Sequence, residues 1–134
     1  MRIVLCTLLL AAACTSKDAP KDAPKVIKGT IDVKGDLKAK VEAADTIYVI
    51  ARKGQGGPPL AVKKLGVTPF PIAFELTERD VMMGGPFEGD VDLSVRIDKD
   101  GDAMTKNPGD LFGKAAPGTK VGDTAATVLI DQSL

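Results

Sequence analysis

The chain has 134 residues, which is room for one folded domain, and its 18 basic residues balance 18 acidic residues. This balance provides no net field to attract nucleic acid, so we predict no nucleic-acid partner. Histidine is absent, which removes the commonest general base and metal ligand and, with them, most hydrolase and zinc-enzyme classes.

Residues 1–13 have the pattern of an export signal. Arg2 supplies a positive charge, and an apolar run follows it. This run is shorter than the about 20 residues that a membrane-spanning helix needs, so we predict a signal peptide that is removed on export. Small residues lead directly into Cys14 and resemble a bacterial lipobox, although Leu10 lies one position earlier than the usual leucine.

The lipobox resemblance implies that the sulfur of Cys14 takes a diacylglycerol group and that Cys14 becomes the mature N-terminus, so the lipid bilayer is a partner. Cys6 lies inside the leader, which leaves Cys14 without a disulfide partner. The alternative is an ordinary cysteine in an uncleaved or differently cleaved leader. Thr15 replaces the aspartate that retains such lipoproteins at the inner membrane of Gram-negative bacteria. A periplasm-facing site at the outer membrane is therefore favoured.

Residues 14–25 are predicted to be a flexible tether. The sequence KDAP occurs at 17–20 and again at 21–24. A tract of lysine, aspartate, alanine and proline cannot bury enough apolar area to fold. Such a tether would hold a folded domain away from a membrane surface.

Residues 26–134 are predicted to be strands joined by short turns. Apolar residues alternate in VDLSVRID at 91–98, which indicates a strand with one wet face, and in FPIAFEL at 70–76. Pro71 cannot donate to a ladder, so the second of these strands is expected at a sheet edge. DTIYVIAR at 45–52 is apolar on both faces, which indicates a central strand. Further strands are predicted at Ile27 to Val33, Leu60 to Leu65 and Ala125 to Asp131, with a shorter one near Leu111.

The segments between these strands contain turn residues, and only GDLKAKVEAAD at 35–45 is typical of a helix, a brief one. Glycine and proline concentrate at 53–59, 83–86, 98–102 and 107–110. The predicted fold class is therefore all-β: an antiparallel immunoglobulin-like β-sandwich of about seven short strands, preceded by the signal peptide and the tether. A small barrel is the competing architecture.

The order of several segments resembles a known family. The run DTIYVIAR, GGPPLAVKKL, FPIAFELTERDVMMGG and VDLSVRIDKDGDAMTKNPGDLFG is similar to the C-terminal periplasmic domain of CycH-type c-type cytochrome biogenesis factors. The likeness covers residues 27–131. It implies an immunoglobulin-like sandwich, and a non-enzymatic role in capturing unfolded apocytochrome for haem ligation. Those factors carry transmembrane helices and tetratricopeptide repeats ahead of this domain. In the present sequence, the predicted lipid anchor and tether occupy that position instead.

Two local motifs have competing interpretations. DKDGD at 98–102 has carboxylates at alternate positions, as calcium loops do, but Ala103 and Gly109 occupy the places where an EF-hand needs glycine and glutamate. A hairpin turn on Asp100 and Gly101 is the preferred interpretation. Met82 and Met83, with Met104 elsewhere, are thioethers of the kind that bind Cu(I), although methionine more often fills a core or forms an adaptable contact surface.

The predicted function is a lipid-anchored, non-enzymatic binding or assembly module that captures extended polypeptide, with no cofactor and no catalytic or metal-ligating residues. An exposed strand edge would supply main-chain hydrogen bonds. The predicted partner-binding residues are Pro71, Met82, Met83, Pro86 and Phe87. The alternatives are a copper-handling lipoprotein and a purely structural envelope lipoprotein.

Overall fold

A computed structural model describes residues 25–54, 57–102 and 106–134. The predictions for the signal peptide, for Cys14 and for the tether up to residue 24 lie outside the described residues, and so does Met104. No helix in the described ranges is long and apolar enough to cross a membrane.

Every predicted strand is present. The described residues contain seven strands: β1 (Val26–Val33), β2 (Thr46–Arg52), β3 (Pro59–Gly66), β4 (Ile72–Thr77), β5 (Asp92–Asp98), β6 (Leu111–Ala115) and β7 (Ala126–Ser133). The helical segments in the same ranges are two short 3-10 helices, Lys38–Lys40 and Glu78–Asp80. The predicted helix at 35–45 is therefore reduced to a single 3-10 turn, because one buried anchor, Leu37, gives an isolated helix too little packing to offset its nucleation cost.

The strands form one mixed sheet in the order β3-β2-β5-β6-β7-β1-β4. Neighbouring strands are antiparallel except β1 and β7, which run parallel with Gly29 opposite Ala126. The prediction of a purely antiparallel sheet was wrong at this pair. Side-chain alternation has the same period in both arrangements, so the sequence pattern carried no information on strand direction.

The sheet curls around one core. Alternate residues of each strand point inward, and their side chains form one aliphatic cluster with Phe74 and Phe87. The two edge strands, β3 and β4, approach each other, and an isolated bridge joins Ala61 to Val81 just beyond β4. All seven strands belong to one continuous sheet that runs from β3 to β4. The fold is therefore closer to the barrel that was the alternative prediction than to a sandwich of two separate sheets.

The outer face of β5 was expected to be wet, and this prediction was wrong for Ser94, Arg96 and Asp98, which are buried. β5 lies between β2 and β6, so neighbouring side chains cover it on both sides. Arg96 and Asp98 form an ion pair: Arg96 Nη2 lies 3.2 Å from Asp98 Oδ2, and the guanidinium lies 5.9 Å from the centre of the Tyr48 ring. Pairing of this kind is what makes burial of charged side chains tolerable.

The prediction of a tight hairpin turn on Asp100 and Gly101 was wrong: the backbone bends there, but Ile97 of β5 pairs with Leu111 of β6, so a longer connection joins the two strands. Asp98 Oδ1 accepts hydrogen bonds from the backbone N–H groups of Asp100 and Gly101, each at 2.9 Å. Gly101 has φ of +78°, a conformation that favours glycine. The Tyr48 hydroxyl donates to the Gly101 carbonyl at 2.7 Å, so the turn is held against β2.

Candidate functional site

β4 is an edge strand whose outward backbone groups can be assigned. Within the described residues, β4 forms a ladder with β1 alone. In β1, the Lys28 N–H donates to Asp123 and the Val26 carbonyl accepts from Gly122, so even-numbered residues of β1 bond toward β7. Odd-numbered residues of β1 therefore bond toward β4, because successive residues direct their backbone groups to opposite edges.

The register then fixes which residues of β4 face outward. The odd-numbered β1 residues oppose Ile72, Phe74 and Leu76. Those three use their backbone groups in the ladder with β1, so the N–H and C=O groups of Ala73 and Glu75 point to the free edge. Both residues are exposed. The amino-acid sequence alone does not identify these two residues, because the assignment depends on the register and not on residue type.

Pro71 immediately precedes β4, so the predicted edge position is confirmed. Pro71 has the same parity as Ala73 and Glu75, and the N–H that proline lacks would have faced the free edge. An exposed proline is therefore tolerated here without loss of a ladder bond. The Phe70–Pro71 peptide bond is cis. The role of Pro71 in partner binding stays a prediction.

A groove of about 780 Å³ separates the two edge strands. Leu65 of β3 and Phe74 of β4 give it apolar walls, while Lys63 and Glu75 place opposite charges along it. A second groove of about 640 Å³ shares Lys63 and Glu75 and continues past the end of β4 to Arg79. The two together form an open channel along the free edge of β4, which we call the edge groove.

The far end of the β4 edge is closed by a capping box. The Thr77 N–H donates to Asp80 Oδ2 at 2.9 Å, and the Arg79 N–H donates to Thr77 Oγ1 at 3.3 Å. Lys63 lies 3.8 Å from the same Asp80 carboxylate. Asp80 therefore caps the short 3-10 helix that follows β4. The Thr77 N–H is thus occupied, which limits the open edge to Ala73 and Glu75.

The segment after this turn contains the other four predicted partner-binding residues, of which three are exposed and one is buried. Met82 and Met83 are 63% and 80% exposed, Pro86 is exposed, and the Met82 N–H donates to the Leu60 carbonyl at the start of β3. Phe87 is only 1% exposed and belongs to the core cluster. Its ring cannot contact a partner in this conformation, and the prediction for Phe87 is corrected. Phe87 was predicted to be exposed because it follows a glycine-rich turn. The sequence has only four phenylalanines, and this one packs in the core.

The calcium alternative for DKDGD finds no supporting cluster among the described residues, while the copper alternative at Met82 and Met83 stays a prediction. The ranges 25–54, 57–102 and 106–134 contain no group of three or more histidine, cysteine, aspartate or glutamate residues able to hold a metal ion. Asp100 instead accepts from the backbone N–H of Asp102 at 3.0 Å and from the side chain of Asn107. The carboxylates of this loop therefore organise the turn between β5 and β6.

Electrostatics around the loop follow from burial. Burial raises the pKa of Tyr48, and the Asp98 charge adds to the rise while Arg96 opposes it. Burial also raises the pKa of Asp98, and the hydrogen bond between the two carboxyl groups lowers the pKa of Asp100. None of these three groups is among the residues that line the edge groove.

The fold and the open edge define an all-β module in which one strand has a free edge beside a groove, a type of surface that can accept a further strand. Residues 27–131 match the model of the family described as the cytochrome c-type biogenesis protein H Ig-like domain. The protein belongs to this family, as its sequence resemblance indicated.

Two further comparisons give the extent of the likeness. The protein is 32% identical over 120 residues to the cytochrome c-type biogenesis protein CycH of Pseudomonas aeruginosa, covering 84% of this sequence and 28% of that protein. It thus spans little more than a quarter of the curated relative. A solved structure of an alternative pilotin from the type II secretion system of Vibrio cholerae aligns with a TM-score of 0.48 and 13% identity over 80% of this protein and 96% of that one. This structural likeness is too low for a functional comparison.

Proposed function

We propose that this protein is a non-enzymatic binding module of the bacterial envelope that holds an extended polypeptide segment along the free edge of β4. The observation that carries the proposal is the outward direction of the backbone groups of Ala73 and Glu75 beside the edge groove. An extended peptide that adds to such an edge forms main-chain hydrogen bonds irrespective of its sequence. Sequence tolerance of this kind suits the capture of unfolded polypeptides.

The energetics require contacts between side chains as well. Two outward residues offer four backbone hydrogen bonds, each worth about 0.5–1.5 kcal/mol net. Ordering each peptide residue costs about 1–2 kcal/mol, so the backbone bonds alone do not hold a peptide. The partly buried Leu65 and the alanines that line the groove supply the remaining free energy, at about 25 cal/mol per Å² of buried apolar surface. Exposed Met82 and Met83 extend the apolar surface beyond the end of β4.

The proposed partner is an extended segment of an unfolded c-type apocytochrome. Family membership and the name of the Pseudomonas relative, a cytochrome c-type biogenesis protein, support this choice. Because the protein spans 28% of that relative, the other activities of the longer protein are not transferred. In this proposal the module only holds the unfolded polypeptide, and other proteins carry out haem ligation.

The proposal includes a lipid anchor. The lipobox-like sequence at Cys14 and the lysine- and proline-rich tract after it support a lipoprotein that faces the periplasm, with the outer membrane favoured by Thr15. One diacylglycerol group on the sulfur holds the protein at a bilayer, and a further acyl group makes the anchoring more stable. Intact mass of the protein purified from membranes tests this part: an unmodified Cys14 thiol would contradict it without affecting the peptide-binding proposal.

Peptide binding is tested with the full-length protein and fluorescent peptides taken from a c-type apocytochrome sequence. Ala73→Pro removes one outward N–H without removing a bond to β1, so we expect affinity to fall about 3- to 10-fold. Ala73→Ser keeps the N–H on the same exposed face and serves as the matched control. Unfolding midpoints of both variants show whether they remain folded.

Two results would contradict the proposal. One is no change in anisotropy with the wild-type protein at millimolar concentration. The other is equal affinity of Ala73→Pro and Ala73→Ser while both remain folded. If Ala73→Pro unfolds, Glu75→Pro at the next outward position replaces it, with Glu75→Gln as the control.

A further inference from the structure

A second concavity lies on the outer face of the sheet, across β2, β5 and β6. Ser94 of β5 is flanked in register by Ile50 of β2 and Lys114 of β6. The next row of the sheet places Arg96 beside Phe112. A small serine among these larger side chains leaves a pit of about 370 Å³, which we call the outer pocket.

The floor of the outer pocket combines apolar surface with one hydroxyl group. Ile50 is 7% exposed and Ser94 is 5% exposed, although both lie on the face of the sheet that points away from the core. The half-buried ring of Phe112 forms one wall. The volume falls within the range of small-molecule pockets, about 300–1,000 Å³.

The rim of the outer pocket is cationic. Arg52, Lys106 and Lys114 line it, and Asp92, opposite Arg52 in the register, is the one carboxylate among its described lining residues. Within the described part of the protein, none of the three cations forms an ion pair. Arg96 also lines the pocket, but its charge is paired with Asp98. The rim thus carries an excess of unneutralised positive charge, and it is complementary to an anion.

We propose that the outer pocket binds a carboxylate carried on an aromatic or apolar body. The apolar part lies against Ile50 and Phe112, and the carboxylate meets Arg52 and Lys114 at the rim. An inorganic anion would contact the cationic rim alone and would leave the apolar surface of Ile50 and Phe112 uncovered. This carboxylate can come from a small aryl acid or from the C-terminal residue of a peptide. The inference does not depend on peptide binding at β4.

The test uses the full-length protein labelled with ¹³C at isoleucine δ1 methyl groups. Ile50 lines the outer pocket, whereas the other described isoleucines lie in the core and serve as internal controls. We expect 3-phenylpropionate to shift the Ile50 methyl signal to saturation and 3-phenylpropionamide to leave it unchanged. The peptide acetyl-Ala-Ala-Phe with a free C-terminus, against its amide, forms the second pair of probes.

Variants locate the anion contact. We expect Arg52→Gln and Lys114→Gln each to weaken 3-phenylpropionate binding about 2- to 5-fold, as for solvent-exposed ion pairs. Lys64→Gln removes an equal charge from the outer face of β3 outside the pocket, and it should leave binding unchanged.

The outcomes separate the sources of the carboxylate. Saturable shifts from either acid, absent for its amide, support the proposal: a response to both acids indicates that any suitable carboxylate is accepted, and a response to the peptide acid alone identifies the C-terminus of a polypeptide. No response from Ile50 to either acid overturns the proposal. Equal responses to acid and amide, or equal weakening by Lys64→Gln and Lys114→Gln, overturn it as well.

Discussion

Replacing Gly29 by alanine tests how closely β1, β4 and β7 pack at the floor of the edge groove. Gly29 lies on β1, between Phe74 of β4 and Ala126 of β7. A Cβ atom at this position would lie 2.1 Å from the Ala126 carbonyl oxygen and 2.9 Å from the Phe74 ring. The first contact is with backbone, so a side-chain rotation cannot relieve it.

The cost of Gly29→Ala follows from this geometry. Bringing the Ala126 oxygen to an ordinary contact requires the β1 and β7 backbones to separate by about 1 Å, which weakens their ladder in addition to overpacking the core. Overpacking alone costs about 1–3 kcal/mol, and a lost backbone hydrogen bond adds about 1 kcal/mol. We therefore expect a loss of about 2–4 kcal/mol in the free energy of unfolding. This corresponds to a fall of about 10–25 °C in Tm for a domain of this size.

The assay is urea unfolding of the full-length protein followed by circular dichroism, with Gly66→Ala as the matched control. Gly66 is the last residue of β3, and its added Cβ would meet nothing within 4 Å. We expect Gly66→Ala to change stability by less than about 0.5 kcal/mol. If Gly29→Ala lowered stability no more than Gly66→Ala does, the close packing of the three strands described here would be wrong.

Perturbations at three other residues have definite expected results. Tyr48 is the single tyrosine of the sequence, and its raised pKa predicts a 295 nm absorbance titration with a midpoint above the ordinary tyrosine value of about 10. The stability that the protonated Tyr48 contributes is complete below this ordinary value and is lost as pH rises through the pKa of the folded protein. A midpoint at or below the ordinary value would contradict the burial of Tyr48. Tyr48→Phe should cost about 1 kcal/mol in urea, because the hydrogen bond to Gly101 is lost. Asp98→Ala should cost about 3–5 kcal/mol in the same assay, since it leaves Arg96 buried without its carboxylate; a cost under about 1 kcal/mol would contradict this pairing. Thr77→Ala should cost about 1 kcal/mol through loss of the capping box, and restoration by Thr77→Ser distinguishes capping from packing.

The strands were predictable because each directs alternate side chains into the core, which gives the apolar residues a period of two. β2 was recognised as central from its two apolar faces, and it does pair on both sides, with β3 and β5. The edge position of β4 was predictable from Pro71, since proline has no N–H to donate. These features depend on residue type alone.

Features that depend on register or on distant partners were not predictable. Nothing in the residue types of β1 and β7 distinguishes a parallel from an antiparallel pair. Arg96 and Asp98 are charged residues of the kind expected on a solvent-exposed face. They are buried because each charge has the other as a partner. The same limit applies to the site: the outward groups of Ala73 and Glu75 follow from register, and the outer pocket follows from Ser94 having larger neighbours on adjacent strands.

Hydrogen exchange at single amides of β4 tests the capture of extended polypeptide most directly. In the free protein, the N–H groups of Ala73 and Glu75 should exchange fast, while those of Phe74 and Leu76 are protected by β1. Saturation with an apocytochrome peptide should slow exchange at Ala73 and Glu75 and leave Phe74 and Leu76 unchanged. A peptide that binds without protecting these two alternate amides would contradict strand addition at β4.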